Sequence, residues 1–217
     1  MIPHYFKREL FYNFVRASEL VMVYMNLFSF LIYGNFKWLF IAVSLMIDAN
    51  INYFLKHKIA VPLFEIFNDY IPIFGKGTRP EGASDCGYFS SCPSKPAKSF
   101  GFPSGHSQFA GIQSGFLIKD ILHNKTKNGK FSSLKMEDKI SVMILFGFIL
   151  VMMYSRVYIE KCHTLEQTVF GAGIGLYLGF FSHSIYLKFK PVIDRYSKYL
   201  STIKLFVTMF FLYFSIF

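Results

Sequence analysis

Six long apolar stretches run through this chain, each broken by only one or two charges: Ala17 to Tyr33, Trp38 to Leu55, Gly105 to Leu122, Ile140 to Val157, Leu165 to Leu187 and Tyr199 to Phe217. Each is close to the ~20 residues that cross a bilayer as a helix. Hydrocarbon offers the main chain no hydrogen-bond partner, so a spanning segment must satisfy itself internally. These stretches predict an all-α, multi-pass transmembrane helical bundle forming one membrane domain over residues 1–217. A weaker segment, Ile59 to Phe74, carries Pro62, Glu65, Asn68, Asp69 and Pro72. It reads as a short span inside the bundle or as an interfacial helix, giving six or seven spans.

Composition agrees: 53% of residues are hydrophobic, 17% are charged and the mean hydropathy is +0.37, which excludes an ordinary soluble domain. The net charge of +10 sits in short tracts between apolar runs, as in cytoplasmic loops, and argues against a nucleic-acid partner. The start lacks a short apolar core ending at a cleavage site, so the first span reads as an uncleaved signal anchor. If 59–74 spans, the basic tracts at 7–16, 56–58, 119–139 and 188–204 share one side. That favours seven spans with a cytoplasmic N-terminus; with six, only the N-terminal part changes sides. Either way Arg79, His106, Arg156 and His163 fall at span ends facing away from the basic loops 124–139 and 188–198. The expected site is lumenal or extracellular, in an endoplasmic reticulum, other endomembrane or plasma membrane.

Chemistry concentrates in three clusters. Gly101 to Ser107 reads Gly-Phe-Pro-Ser-Gly-His-Ser where an apolar segment begins; exposed N–H groups at a helix start attract anions, phosphate above all. Arg79-Pro80 precedes it, and Ser155-Arg156 with His163 follows it. Phosphoryl transfer needs charge around three oxygens, an in-line nucleophile and a proton for the leaving oxygen. Arg79 and Arg156 offer planar forks, Lys76 a point charge, and Ser104 with the Gly105 amide neutral donors. His106 and His163 are two imidazoles, one to attack phosphorus and one to protonate the departing alkoxide; spacing does not say which. Gln167 and Glu166 compete to orient the His163 ring. A lone Arg at a span end snorkels to headgroups and a lone His is structural; His4, His57, His123 and His183 are read so. The run Gly171 to Gly175 allows close helix packing or leaves room for a lipid chain.

The loop from Gly75 to Phe102 reads as an ordered surface loop folding over the site. Its Cys86 and Cys92 are expected to pair in an oxidising compartment. Cys162 reads as a small buried hydrophobe. No Cys-x-x-Cys or His-Glu-x-x-His pattern occurs, so neither a metal nor another cofactor is expected.

In kind and order, these clusters resemble the type 2 phosphatidic acid phosphatase superfamily, which includes lipid phosphate phosphatases, dolichyl diphosphatases and vanadium haloperoxidases. Its signature is Lys-x6-Arg-Pro, then Pro-Ser-Gly-His, then Ser-Arg-x5-His-x3-Asp, and the resemblance covers roughly 76–175 as a catalytic core. It implies His163 as a nucleophile forming a phosphohistidine and His106 as general acid. Arg79, Ser104, Gly105 and Arg156 would hold the phosphoryl oxygens, without a metal. Three positions depart. Pro72 stands where the first Lys is expected, with Lys76 the nearest; six residues separate Arg156 from His163; and Gln167 replaces the Asp. A His-Thr-x-x-Gln ending is similar to the dolichyl diphosphatase branch. The expected activity is hydrolysis of a lipid phosphomonoester or diphosphate, phosphatidate-like or polyprenyl, at the bilayer. Lipid phosphoryl or headgroup transfer, and non-catalytic lipid-phosphate binding, are the alternatives.

Overall fold

The computed structural model describes residues 13, 15–84, 86, 97, 99–126 and 129–216. Helix α1, Ser18–Tyr33, ends where Gly34 turns left-handed at φ 66°, a stop that glycine adopts without a Cβ clash. Asn35 then caps the next helix by accepting from the Lys37 N–H. That helix runs unbroken from Phe36 to Ile66, as α2 (Phe36–Phe54), a π-helical turn (Leu55–Ala60) and α3 (Val61–Ile66). Pro62 is accommodated because it sits at the start of α3. Residues 67–74 hold a turn with left-handed Asn68, Asp69 and Ile73 and the strand β1, Tyr70–Ile71, which pairs antiparallel with β2, Gly75–Lys76. The favoured seventh span is therefore corrected: 59–66 continue the preceding helix, and 67–74 are too irregular to cross.

Helices α4 (Gly105–Lys125), α5 (Met136–Tyr154), α6 (Leu165–Tyr196) and α7 (Leu200–Ile216) complete the bundle. Among the described residues, three continuous helices are long and apolar enough to cross a membrane, Phe36–Ile66, Met136–Ile159 and Leu165–Tyr196, and Ser18–Tyr33 is a shorter apolar one. Met143, Ile144, Leu150, Tyr177 and Phe181 face outward, a surface suited to hydrocarbon. Helix α4 is the inner one, with residues from Ser107 to Gly111 all buried.

What positions the site is the contact of α4 with α6. Gly171, Gly175 and Gly179 recur at every fourth residue of α6, and Gly111 and Gly115 do so on α4. A Cβ at Gly179 would come within 2.5 Å of the Ile112 carbonyl oxygen, and one at Gly111 within 2.6 Å of Ala172's; Gly175 faces the Gln108 carbonyl in the same way. Without side chains between them the two backbones touch. Their close approach brings the Ser104 N–H onto the Gln167 carbonyl at 3.0 Å, locking the start of α4 to the first turn of α6. At the far end, Lys37 (2.9 Å) and His183 (3.3 Å) meet Asp120, with His183 fully buried.

The chain enters the bundle at the site's own end. The Val15 and Arg16 carbonyls accept from Arg156 and His106, so the start of α1 lies at the site's end of the bundle and not opposite it, as the seven-span reading expects. The apolar pattern locates helices, but it does not say at which end a chain begins.

Gly173 on α6 has open space where a Cβ would go. Thermal unfolding in detergent should therefore separate two alanine variants. Gly175→Ala pushes a methyl into backbone and loses about 1–3 kcal/mol, whereas Gly173→Ala is neutral or slightly stabilising.

Candidate active site

His163 lies between the π-helical turn Ser155–Ile159 and α6, and is 3% exposed. Thr164 caps α6 in a capping box with Gln167, which fixes where the Gln167 amide can reach. Its Nε2 donates to three carbonyls, those of Lys76 (2.9 Å), Thr78 (2.7 Å) and, more weakly, Gly77 (3.4 Å). The other end of the amide, Oε1, therefore faces His163 Nδ1 at 3.0 Å and accepts from the Thr164 N–H at 3.2 Å. An acceptor at Nδ1 puts the ring hydrogen there and leaves Nε2 unprotonated, an acceptor. Nε2 faces Arg79 Nη1 at 3.2 Å. Burial, reinforced by the positive charges of Arg79 and Lys56, holds the His163 ring well below its ordinary pKa. Gly101 makes room for this amide, since a Cβ there would lie 2.6 Å from Gln167 Nε2.

The extra residue between Arg156 and His163 does not rotate His163 away. A π turn accommodates an added residue within a helix, and Lys161 then takes a left-handed φ of 53°. The N–H groups of Cys162 and His163 fold back onto the Arg156 carbonyl at 3.0 and 3.4 Å.

Both guanidinium groups are held by main-chain carbonyls. Arg79 Nη1 donates to Cys162 O at 2.8 Å, while its Nε and Nη2 engage Ser99. Arg156, fully buried, donates from Nη1 to Cys86 O at 2.9 Å and from Nη2 to Val15 O at 2.6 Å. Its Nε is buried without an acceptor among the described residues, a donor left for a ligand oxygen. Cys86 and Cys162 are joined in a disulfide. This corrects the expected Cys86–Cys92 pair, of which Cys92 lies outside the described residues, and the reading of Cys162 as a lone hydrophobe. A partner so distant in sequence leaves no spacing signal.

Ser104 is fully buried as N-cap of α4, receiving a hydrogen bond from the Ser107 hydroxyl at 3.2 Å. The N–H groups of Gly105 and His106 begin the helix, where no intrahelical acceptor exists. His106 Nδ1 lies 3.1 Å from a Glu19 carboxylate oxygen and Nε2 3.3 Å from the Arg16 carbonyl. The structure thus gathers Arg79, Ser104, Gly105, His106, Arg156, His163 and Gln167 at one end of the bundle. Lys76 joins through its carbonyl, and the residue is exposed; Glu166, the rival orienter, packs beside Gly75 instead.

Sequence reasoning missed Val15, Arg16, Glu19, Lys56 and Ser99. None belongs to a recurring motif, and Lys56 counted there only as loop charge. An open cavity of about 410 Å³ adjoins Arg79, lined by His57, Thr78, Pro80, Ser99 and Phe100 among others; His57 had been read as structural.

A protein-family model described as the PAP2 superfamily matches residues 37–191, more than half of the chain. No curated protein and no solved structure matches.

Two outcomes check this geometry. Below about pH 6.5 an unfolded chain protonates His163 while the native ring stays neutral, so native stability falls with pH, by up to about 1.4 kcal/mol per unit. The melting-temperature advantage of the wild type over His163→Gln should shrink between pH 7.5 and 5. Peptide mapping without reduction should recover Cys86 joined to Cys162, and a Cys86–Cys92 loop would contradict it.

Proposed function

The chain belongs to the PAP2 superfamily, and on that premise we propose that it is a membrane-embedded phosphatase. Its substrate is a lipid phosphomonoester or diphosphate, cleaved through a phosphohistidine on His163. The observation that carries this reading is the line Gln167–His163–Arg79, which favours an Nδ1–H tautomer and an unprotonated Nε2 facing a guanidinium.

In the first half-reaction the Nε2 lone pair forms a bond to phosphorus while the ester P–O bond breaks. The leaving oxygen takes that electron pair and a proton from His106. Arg79, the orphaned Nε of Arg156, the Ser104 hydroxyl and the Gly105 amide surround the phosphoryl oxygens. Gln167 keeps the ring oriented while it becomes an imidazolium. In the second half, water attacks phosphorus, gives its proton to His106 and returns the N–P pair to His163. Lys56 adds positive charge around the anion, while Lys76, expected to do so, contributes its carbonyl to Gln167. Nucleophile, acid and charge all come from side and main chains, so the mechanism asks nothing of a metal.

A lipid fits the placement. Phosphate at helix ends lies level with headgroups, with the tail in hydrocarbon, and the cavity beside Arg79 accepts the polar part next to the scissile bond. Both a phosphatidate-like ester and a polyprenyl diphosphate meet that description. The disulfide beside His163 supports a lumenal or extracellular site, because disulfides persist in oxidising compartments; the host membrane is then an endomembrane or the plasma membrane.

Purified protein in detergent and EDTA should release phosphate from phosphatidate or a polyprenyl diphosphate. His163→Ala should lower kcat at least about 10³-fold. Arg79→Lys, which loses the fork but keeps the charge, should cost about 10²-fold in kcat/KM. Failure to hydrolyse either lipid would remove the reading.

A further inference from the structure

The first three dozen residues lie outside the family-matched region, 37–191, yet three of them reach into the site. Arg16 grips Glu160 with Nε 3.1 Å from both carboxylate oxygens and Nη2 2.8 Å from Oε2. That clamp pins the segment onto the end of the π turn carrying Arg156. Val15 then presents its carbonyl to Arg156 at 2.6 Å and Arg16 its own to His106 Nε2 at 3.3 Å. One turn on, the Glu19 carboxylate stands 3.1 Å from His106 Nδ1. It also packs against the first residue of α4, where a Cβ on Gly105 would lie 3.5 Å from its Oε1. His106 is 7% exposed, so water is not a ready substitute for this partner.

We propose that Glu19 is the positioning residue of His106, an acidic partner contributed by α1 from outside the family-matched region. The proposal rests on the phosphatase reading above. A general acid must hold its proton at the nitrogen facing the leaving oxygen and have its other nitrogen fixed. Glu19 does the second: its half-buried carboxylate orients the imidazole by accepting from Nδ1. With Nδ1–H bound to Glu19, Nε2–H is left to donate. In the structure it points to the Arg16 carbonyl, and in the reaction to the departing oxygen. When that proton leaves, the P–O electron pair stays on the alkoxide oxygen, which becomes the alcohol. His106 is then a neutral ring still bonded through Nδ1–H to the carboxylate. The attacking water later restores the proton to Nε2.

The test uses leaving groups. An alkyl phosphate needs its leaving oxygen protonated, whereas 4-nitrophenyl phosphate departs as a stabilised anion and needs little acid help. The full-length protein is assayed with a lipid alkyl phosphomonoester and with 4-nitrophenyl phosphate. Glu19→Gln should lower kcat on the lipid at least about 10-fold more than on the aryl ester, with KM little changed. His106→Ala should show the same selectivity, and adding Glu19→Gln to it should cost nothing further. Glu19→Asp, which keeps the charge, should recover part of the loss, and it tests the claim if the Gln variant does not fold. Equal losses on both esters from a folded variant, or additive losses in the double variant, would overturn the proposal. Wild-type protein inactive on both esters would instead remove the phosphatase reading, and the role of Glu19 with it.

Discussion

The touching backbones of α4 and α6 are the constraint on which the rest depends. Five glycines remove the side chains that would hold the two helices apart. At that spacing the N-cap of α4 is hydrogen-bonded to the first turn of α6 through Ser104 and Gln167. Ser104, Gly105 and His106 come from one helix start, and His163 and Gln167 from the entry to the other. The relative placement of the two imidazoles is thus set by helix packing and not by the loops that carry Arg79 and Cys86. An active site assembled at helix ends in this way has rigid walls, and the loops need only supply charge.

Gln167 shows how a local substitution is accommodated. A carboxylate at this position could accept from His163, but it could donate nothing to the carbonyls of Lys76, Gly77 and Thr78. The amide does both, tying the ring to the strand that leads into Arg79. An imidazolium gains less from an amide oxygen than from a carboxylate, and the gain in exchange is a fixed loop. The disulfide works toward the same end. Its two residues present the carbonyls that receive Arg79 and Arg156, so one covalent link orders both forks.

Much of this was legible in the sequence because it follows short-range rules. The helix starts at Gly105 and Leu165 coincide with the starts of apolar runs, although the helices Phe36–Ile66 and Leu165–Tyr196 continue well past the ends of theirs. The Arg, His and Gly-rich motifs mark, by type and order, residues that the fold brings to one end of the bundle. What was not legible depends on contacts distant in sequence. Nothing near Cys86 indicates Cys162, and nothing in the first apolar run shows that Glu19 meets His106. The separate span over 59–74 failed for a physical reason: a π turn lets α2 continue through Lys56 to Lys58, and a charged tract read as a loop lies inside a helix beside the site.

Covalent trapping tests the central claim most directly. Brief mixing of the purified protein with a radiolabelled lipid phosphate, an alkaline quench and peptide mapping would locate the transferred phosphoryl group. Acid-labile, base-stable label on the peptide containing His163 is the expected result. Label on His106 or Ser104, or turnover with no covalent label on the millisecond timescale, would contradict the nucleophile assigned to His163.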